Sequence, residues 1–134
     1  MIISRADYAN MTIGYFDALL AANDGLTIAH DVLSYQSGYI VGGAHGFSEV
    51  SVPNTLEGRS TAAAEITARL NLGHDVGIWL ETCTGLGQAR SKLVIDSVSQ
   101  HDNRDFAITH AQQRGERAIY DTEANDVFPT PRAV

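Results

Sequence analysis

Three of the five histidines stand directly before an aspartate, as His30-Asp31, His74-Asp75 and His101-Asp102. Composition alone would supply fewer. Imidazole and carboxylate can share a proton or a divalent cation near neutral pH, so the first chemistries to weigh are metal-assisted hydrolysis and general acid–base work.

The surroundings of the pairs argue for a different use. Metal-dependent phosphohydrolases of the HD type carry their His-Asp pair on a helix and complete the site from neighbouring helices. Here at least two of the pairs fall at element boundaries. Asp102 or Asn103 is placed to accept hydrogen bonds from the free amides of a following helix, where an acidic group also suits the helix dipole. His74-Asp75 follows a helix stop at Gly73. The pairs therefore read as turns and caps, and no metal or cofactor is expected.

Other reactive residues point the same way. "VGGAHG" precedes a strand rather than a helix N-terminus, so it lacks the amides that cradle a phosphate. "TGLGQARSK", with Gly85, Gly87, Arg90 and Lys92, lacks the full P-loop pattern and the helix that should follow. Both read as hairpin loops. Cys83 is the only cysteine, which excludes an internal disulfide and a Cys-rich zinc site, and alone it reads as a small apolar group. No serine stands in a Gly-x-Ser-x-Gly elbow. No catalytic residue is assigned.

The elements that would position these residues follow from periodicity. Ile13, Phe16 and Leu20 recur at helical spacing after Thr12, a capping residue, and Asn23-Asp24-Gly25 ends that helix. "LTIAHDVLSYQ" has Ile28, Val32 and Tyr35 at similar spacing and is read as a second short helix, with a strand as the alternative its β-branched residues leave open. "GYIVGG" and "FSEVSV" read as a hairpin stopped by Pro53. Ser60 or Thr61 caps a helix with Ala62, Ile66 and Leu70 on one face, ended by Gly73. The strand "VGIWLE", the strand "KLVIDSV", the helix "NRDFAITHAQQRG" and the strand "ERAIYD" then repeat that order.

The expected fold is a single α+β domain over residues 1–134. It has a mainly helical segment 1–36 and two ββαβ units, 38–81 and 76–121, that share a strand. Together these make a mostly antiparallel sheet of about five strands with helices on one face. The tail 122–134, with two prolines, is expected at the surface or disordered.

Alternation along those strands sends Trp79 and Tyr120 to the face opposite Ile78 and Ile119, with Glu81 and Asp121 beside them and Glu123 and Asp126 as an acidic rim. Trp and Tyr are enriched at protein interfaces, so these six residues form the candidate partner-binding surface; an intramolecular second layer and a solvated tail are the competing readings.

Composition bounds the rest. With 44% hydrophobic and 19% charged residues the chain resembles an ordinary folded protein. Nine basic residues against sixteen acidic give a net charge of −7, which disfavours direct nucleic-acid binding. "MIISRADYANM" does not resemble a signal peptide, and no apolar run spans a membrane, so a cytoplasmic location is expected.

The second half resembles small uncharacterised proteins of actinobacteria and their phages, through Val94, Asp96, Asp102, Arg104, Ala107, Arg114, Gly115, Glu116, Ala118, Ile119 and Asp121; "GYIVGG" matches less specifically. The resemblance implies a compact α+β unit of mobile-element origin and brings no activity or catalytic residue with it. The skew to eight Arg and one Lys agrees with such a source. The expected function is a non-enzymatic, small acidic binding protein with a protein partner, of the kind that occupies a basic site on a host defence protein. The alternatives are a metal- or phosphate-dependent hydrolase using the His-Asp pairs, and a self-associating accessory protein.

Overall fold

Alternating apolar residues on two long strands set the frame. In the computed structural model, which describes residues 1–23, 25–85 and 88–132 and the side chains of all of these but 82–85 and 88–90, β5 (Asp75–Gly85) and β6 (Gln88–His101) form an antiparallel ribbon. Val76, Ile78, Leu93 and Ile95 point to one side of it, and all four are buried. Before the ribbon come β1 (Ile2–Ser4), α1 (Arg5–Ala9), α2 (Ile13–Asn23), β2 (Gly25–Ala29), β3 (Tyr39–Val41), β4 (Val50–Pro53) and α3 (Leu56–Asn71). After it come α4 (Arg104–Arg114), β7 (Ala118–Asp121) and β8 (Asp126–Pro129).

The strands form one eight-stranded sheet in the order β1-β2-β5-β6-β3-β7-β8, with β4 also paired to β6. Every pairing is antiparallel except that of β1 with β2. β6 binds β4 through Lys92–Ile95 and β3 through Ser99–His101.

α3 starts at Thr55, whose hydroxyl accepts from the Gly58 amide, and lays Ala62, Ile66 and Leu70 on the ribbon. Each large apolar side chain so buried contributes about 1.5–3 kcal/mol. α2 adds Leu20, with Phe16 and Leu19 partly buried. α4 is capped by Asn103, which accepts from two first-turn amides, and is closed by Gly115 at φ 70. Its fully buried Ala107 and Ala111 allow it to sit close against Val41 and Ile119. Register places Val41 opposite Ser99 and Val76 opposite Ser97, so α4 lies on the same side of the sheet as α3.

On the other side, Ala29, Tyr35, Ile40 and Val98 form a smaller cluster that takes Ile2 from β1 and Tyr120 from β7. Strands far apart in the sheet order therefore meet the same group, and the sheet is curled about Tyr35.

Several expectations are corrected. The second short helix is replaced by β2 followed by a 3-10 turn at Val32–Tyr35. β2 is covered on both faces, with Leu26 to Ala29 all buried, so it shows no polar–apolar alternation that sequence could reveal. "GYIVGG" and "FSEVSV" do not form a hairpin, because β3 and β4 each pair with β6. The helix cap is Thr55, not Ser60 or Thr61. The sheet has eight strands rather than about five, and the paired ββα organisation is not matched. The tail contributes β8, paired to β7 from Ala118 and Pro129 to Asp121 and Asp126. The hairpin expected at "TGLGQARSK" agrees with the pairing of β5 and β6, with Gly85 opposite Gln88; Leu86, Gly87 and the side chains of Cys83 and Arg90 lie outside the described residues. Among the described residues no helix is long and apolar enough to cross a membrane.

Candidate functional site

The His-Asp pairs are recombined in space. Ile28 pairs with Val76, so the residue after Ala29 arrives beside the start of β5. There Asp75 Oδ1 accepts from the His30 amide at 2.8 Å and lies 2.9 Å from His30 Nδ1, while Asp75 Oδ2 accepts from the Tyr35 hydroxyl at 2.6 Å. Arg5 Nη1 stands 3.4 Å from His30 Nε2. A guanidinium only donates, so Nε2 is the acceptor and Nδ1–H donates to Asp75. Burial, then the hydrogen bond and charge of Asp75, raise the Tyr35 pKa. Asp31 accepts from the Leu33 amide and caps the 3-10 turn.

His74 points to the helical side and is buried. Its Nδ1 lies 2.9 Å from Ser97 Oγ, which also accepts from Arg69 Nη1 at 3.1 Å. Arg69, 2% exposed, donates further to Glu65 Oε1 at 2.9 Å and to the Ser48 carbonyl at 2.7 Å. His45, at φ 60, stacks on His74 at 4.0 Å, and the Phe47 ring meets His74 edge-on. Burial, followed by His45 and Arg69, lowers the His74 pKa.

The third pair separates similarly. His101 stacks on His110 at 4.4 Å and lies 2.7 Å from Ser99 Oγ, which accepts from Arg114 Nη1 at 2.8 Å. Burial, then His110 and Arg114, lowers the His101 pKa. Asp102 accepts from the Gln100 amide group, and the neighbouring Asn103 caps α4. The five histidines thus fall into two stacked pairs and His30. Among the described residues no three His, Cys, Asp or Glu side chains are grouped to hold a metal ion.

One carboxylate stands apart. Asp96 is 1% exposed, accepts among the described residues only from the Gly43 amide, at 3.1 and 3.2 Å, and faces Glu116 and Glu49. Burial, with those two acids, pushes its pKa up to about 6 against the Gly43 bond and the charge of Arg69. A side chain at Gly42 would strike this carboxylate.

The residues expected to bind a partner form two patches. Trp79, half-buried beside Gly25 and Val94, neighbours Glu81, which faces Lys92 at 3.7 Å. Tyr120 pairs with Ile40 and bonds Asn125; Asp121 accepts from the amides of Glu123 and Ala124 and closes the hairpin turn opposite Asp126. Val94 and Gln100 mark the two patches on β6, roughly 20 Å apart along the strand.

A further exposed apolar surface lies on α2, the helix read from the spacing of Ile13, Phe16 and Leu20. Ile13, in register with Phe16 and Leu20 but at the helix start, is 57% exposed, and Tyr15, on the opposite side, is 58% exposed. Gly14, Ala18, Ala21 and Ala22 are exposed as well. The single charged residue of this 11-residue helix, Asp17, is held by Arg59 at 2.5 Å. A surface helix ordinarily turns charged residues to water, and α2 turns none. That lack of outward charge in "IGYFDALLAAN" was the available signal. Set beside known protein families, curated proteins and solved structures, the chain matches none of them.

Proposed function

We propose that this chain is a non-enzymatic, acidic binding protein whose contact surface is the outward face of α2. One observation carries the reading: Tyr15 stands in water beside Gly14, Ala18, Ala21 and Ala22, with no charge among them. An apolar centre on a molecule of net charge −7 suits a protein partner with a basic surround, drawn in by the long-range field and held by the apolar contact. The same charge opposes pairing with a second copy. The finer reading, a mobile-element protein that occupies the basic site of a host defence protein, rests on that charge and on the resemblance of the second half.

The test uses a photo-cross-linking residue at Ala18, with Thr109 on the exposed face of α4 as control. Cross-links to a basic protein from position 18 and not from 109 are expected of a contact at α2; with the cross-linker at Ala22 instead, Ala18→Arg should abolish them on an unchanged melting curve. Equal cross-linking from both positions, or capture unaffected by Ala18→Arg, would refute it. Light scattering of the pure protein separates a second copy from a different partner.

A further inference from the structure

Among the described residues His30 is the one histidine with a carboxylate on a ring nitrogen. The pairing of β2 with β5 puts it there, since the residue after Ala29 meets Asp75 at the head of β5. Asp75 is itself fixed. Its Oδ1 accepts from the His30 amide at 2.8 Å and from Nδ1–H at 2.9 Å, and its Oδ2 accepts from the Tyr35 hydroxyl at 2.6 Å. Nε2 therefore keeps its lone pair, on a side chain that is 34% exposed. Beside it stands Arg5, the first residue of α1, with Nη1 at 3.4 Å. That contact is long and lies at the surface, whereas Arg5 Nη2 is anchored at 2.6 Å on Asn71 Oδ1 at the end of α3. An imidazole with a carboxylate behind one nitrogen and a lone pair on the other is an activated nucleophile. The other four histidines differ. His74 is buried, His101 Nε2 is bonded to Ser99, and His45 and His110 are the stacked partners of these two.

We propose that His30 Nε2 is a phosphoryl acceptor, taking the group from a phosphoramidate, a donor that carries its phosphorus on nitrogen. The Nε2 lone pair forms the new N–P bond as the donor's P–N bond breaks, and that electron pair leaves on the donor nitrogen as a neutral amine. The ring keeps its Nδ1 proton and becomes cationic, opposite the Asp75 carboxylate. The phosphoryl oxygens replace Nε2 as acceptors for Arg5, whose planar fork suits them. Arg5 selects both the group and the donor. A guanidinium beside Nε2 favours a group rich in anionic oxygen over an acyl group. It cannot give up a proton, so the leaving atom has to arrive already protonated, as the nitrogen of a phosphoramidate does and the oxygen of a phosphate ester does not. The chain is an acceptor here rather than a catalyst, and no residue of the site belongs to α2.

The probe is potassium phosphoramidate, added to the full chain at mildly alkaline pH. Intact mass with phosphorus and nitrogen NMR records which of the five histidines is labelled, and on which nitrogen. Labelling is expected on His30 Nε2, about tenfold faster than on His45 or His110, as one hydrogen bond to a charged group gives. His30→Gln should remove that signal. Asp75→Asn should slow labelling about tenfold, and Arg5→Gln should slow it by a similar factor on an unchanged melting curve, with partial recovery in Arg5→Lys. A role confined to holding the corner together would leave the rate in Arg5→Gln unmoved, and that result overturns the proposal. So does an absence of label on His30, label spread evenly over the histidines, or attachment at Nδ1. The ranking of the histidines within the unaltered chain decides even if Asp75→Asn fails to fold.

Discussion

Replacing Asp96 with asparagine isolates a buried carboxylate whose charged form the fold disfavours. The carboxylate is 1% exposed, has a single backbone donor and faces two further acids. Its pKa rises from 3.8 to about 6 on folding. A group whose folded pKa lies above its unfolded one binds protons more tightly in the folded state. Its contribution to stability is therefore complete below the unfolded pKa, and it is lost as pH climbs from 3.8 to about 6. A shift of that size amounts to about 3 kcal/mol once both states are ionised, with about 0.5 kcal/mol already lost at pH 4.

Asparagine keeps one oxygen as acceptor for the Gly43 amide and does not titrate. The stability of Asp96→Asn relative to the unaltered chain should therefore grow by about 2 kcal/mol between pH 4 and pH 7. Urea unfolding at pH 4, 5, 6 and 7 measures this, provided the m-value stays constant. His74 and His101, whose pKa values are lowered, contribute with the opposite sense, losing stability as pH falls below 6.5; both chains carry them, so they cancel in the difference. A difference that is flat with pH, or an asparagine variant less stable than its parent at pH 7, would refute the reasoning.

Three other perturbations test separate parts of the structure. Gly14→Ala adds a methyl group with nothing within 4 Å on an exposed helix face, so calorimetry should show a melting temperature higher by about 2–3 °C, from about 0.5–1 kcal/mol of helix propensity. Ser97→Ala deprives both Arg69 Nη1 and His74 Nδ1 of their partner and should lower the urea unfolding free energy by about 2–3 kcal/mol, well beyond the loss of one exposed hydroxyl. A double-mutant cycle should find about 1 kcal/mol of coupling between His30 and Asp75 and none resolvable between His30 and Asp31, reversing what adjacency in the chain implies.

What could be read from the sequence depended on how many faces of an element meet water. α3 and α4 each have one solvated side, so Ala62, Ile66 and Leu70 stood out, as did a cap for α4 at Asp102 or Asn103, of which Asn103 is the one used. β2 has no solvated side, and its apolar run matched a helix as well as a strand. β1 and β8 are short edge strands whose residues acquire a strand identity only from their neighbours. The hairpin drawn between "GYIVGG" and "FSEVSV" failed because β6, at 14 residues, is long enough to take both partners at different points along its length. Pairing at that distance in sequence leaves no local mark.

The same geometry explains why the His-Asp pairs misled as constellations while being correctly read as corners. Neighbouring residues at a strand end point to opposite faces, so His74 goes to Ser97 among the helices and Asp75 to His30 and Tyr35 on the other side. In extended chain, adjacency keeps two side chains from acting on one ligand. A His-Asp site built from strands has to be drawn from two different pairs, as His30 and Asp75 are. Helices obey the opposite rule, since residues four apart share a face. On α2 that rule brings Gly14, Ala18 and Ala22 together on a side no other element covers. The informative signal for a contact surface was therefore a missing one, the charge that an outward helical face ordinarily carries.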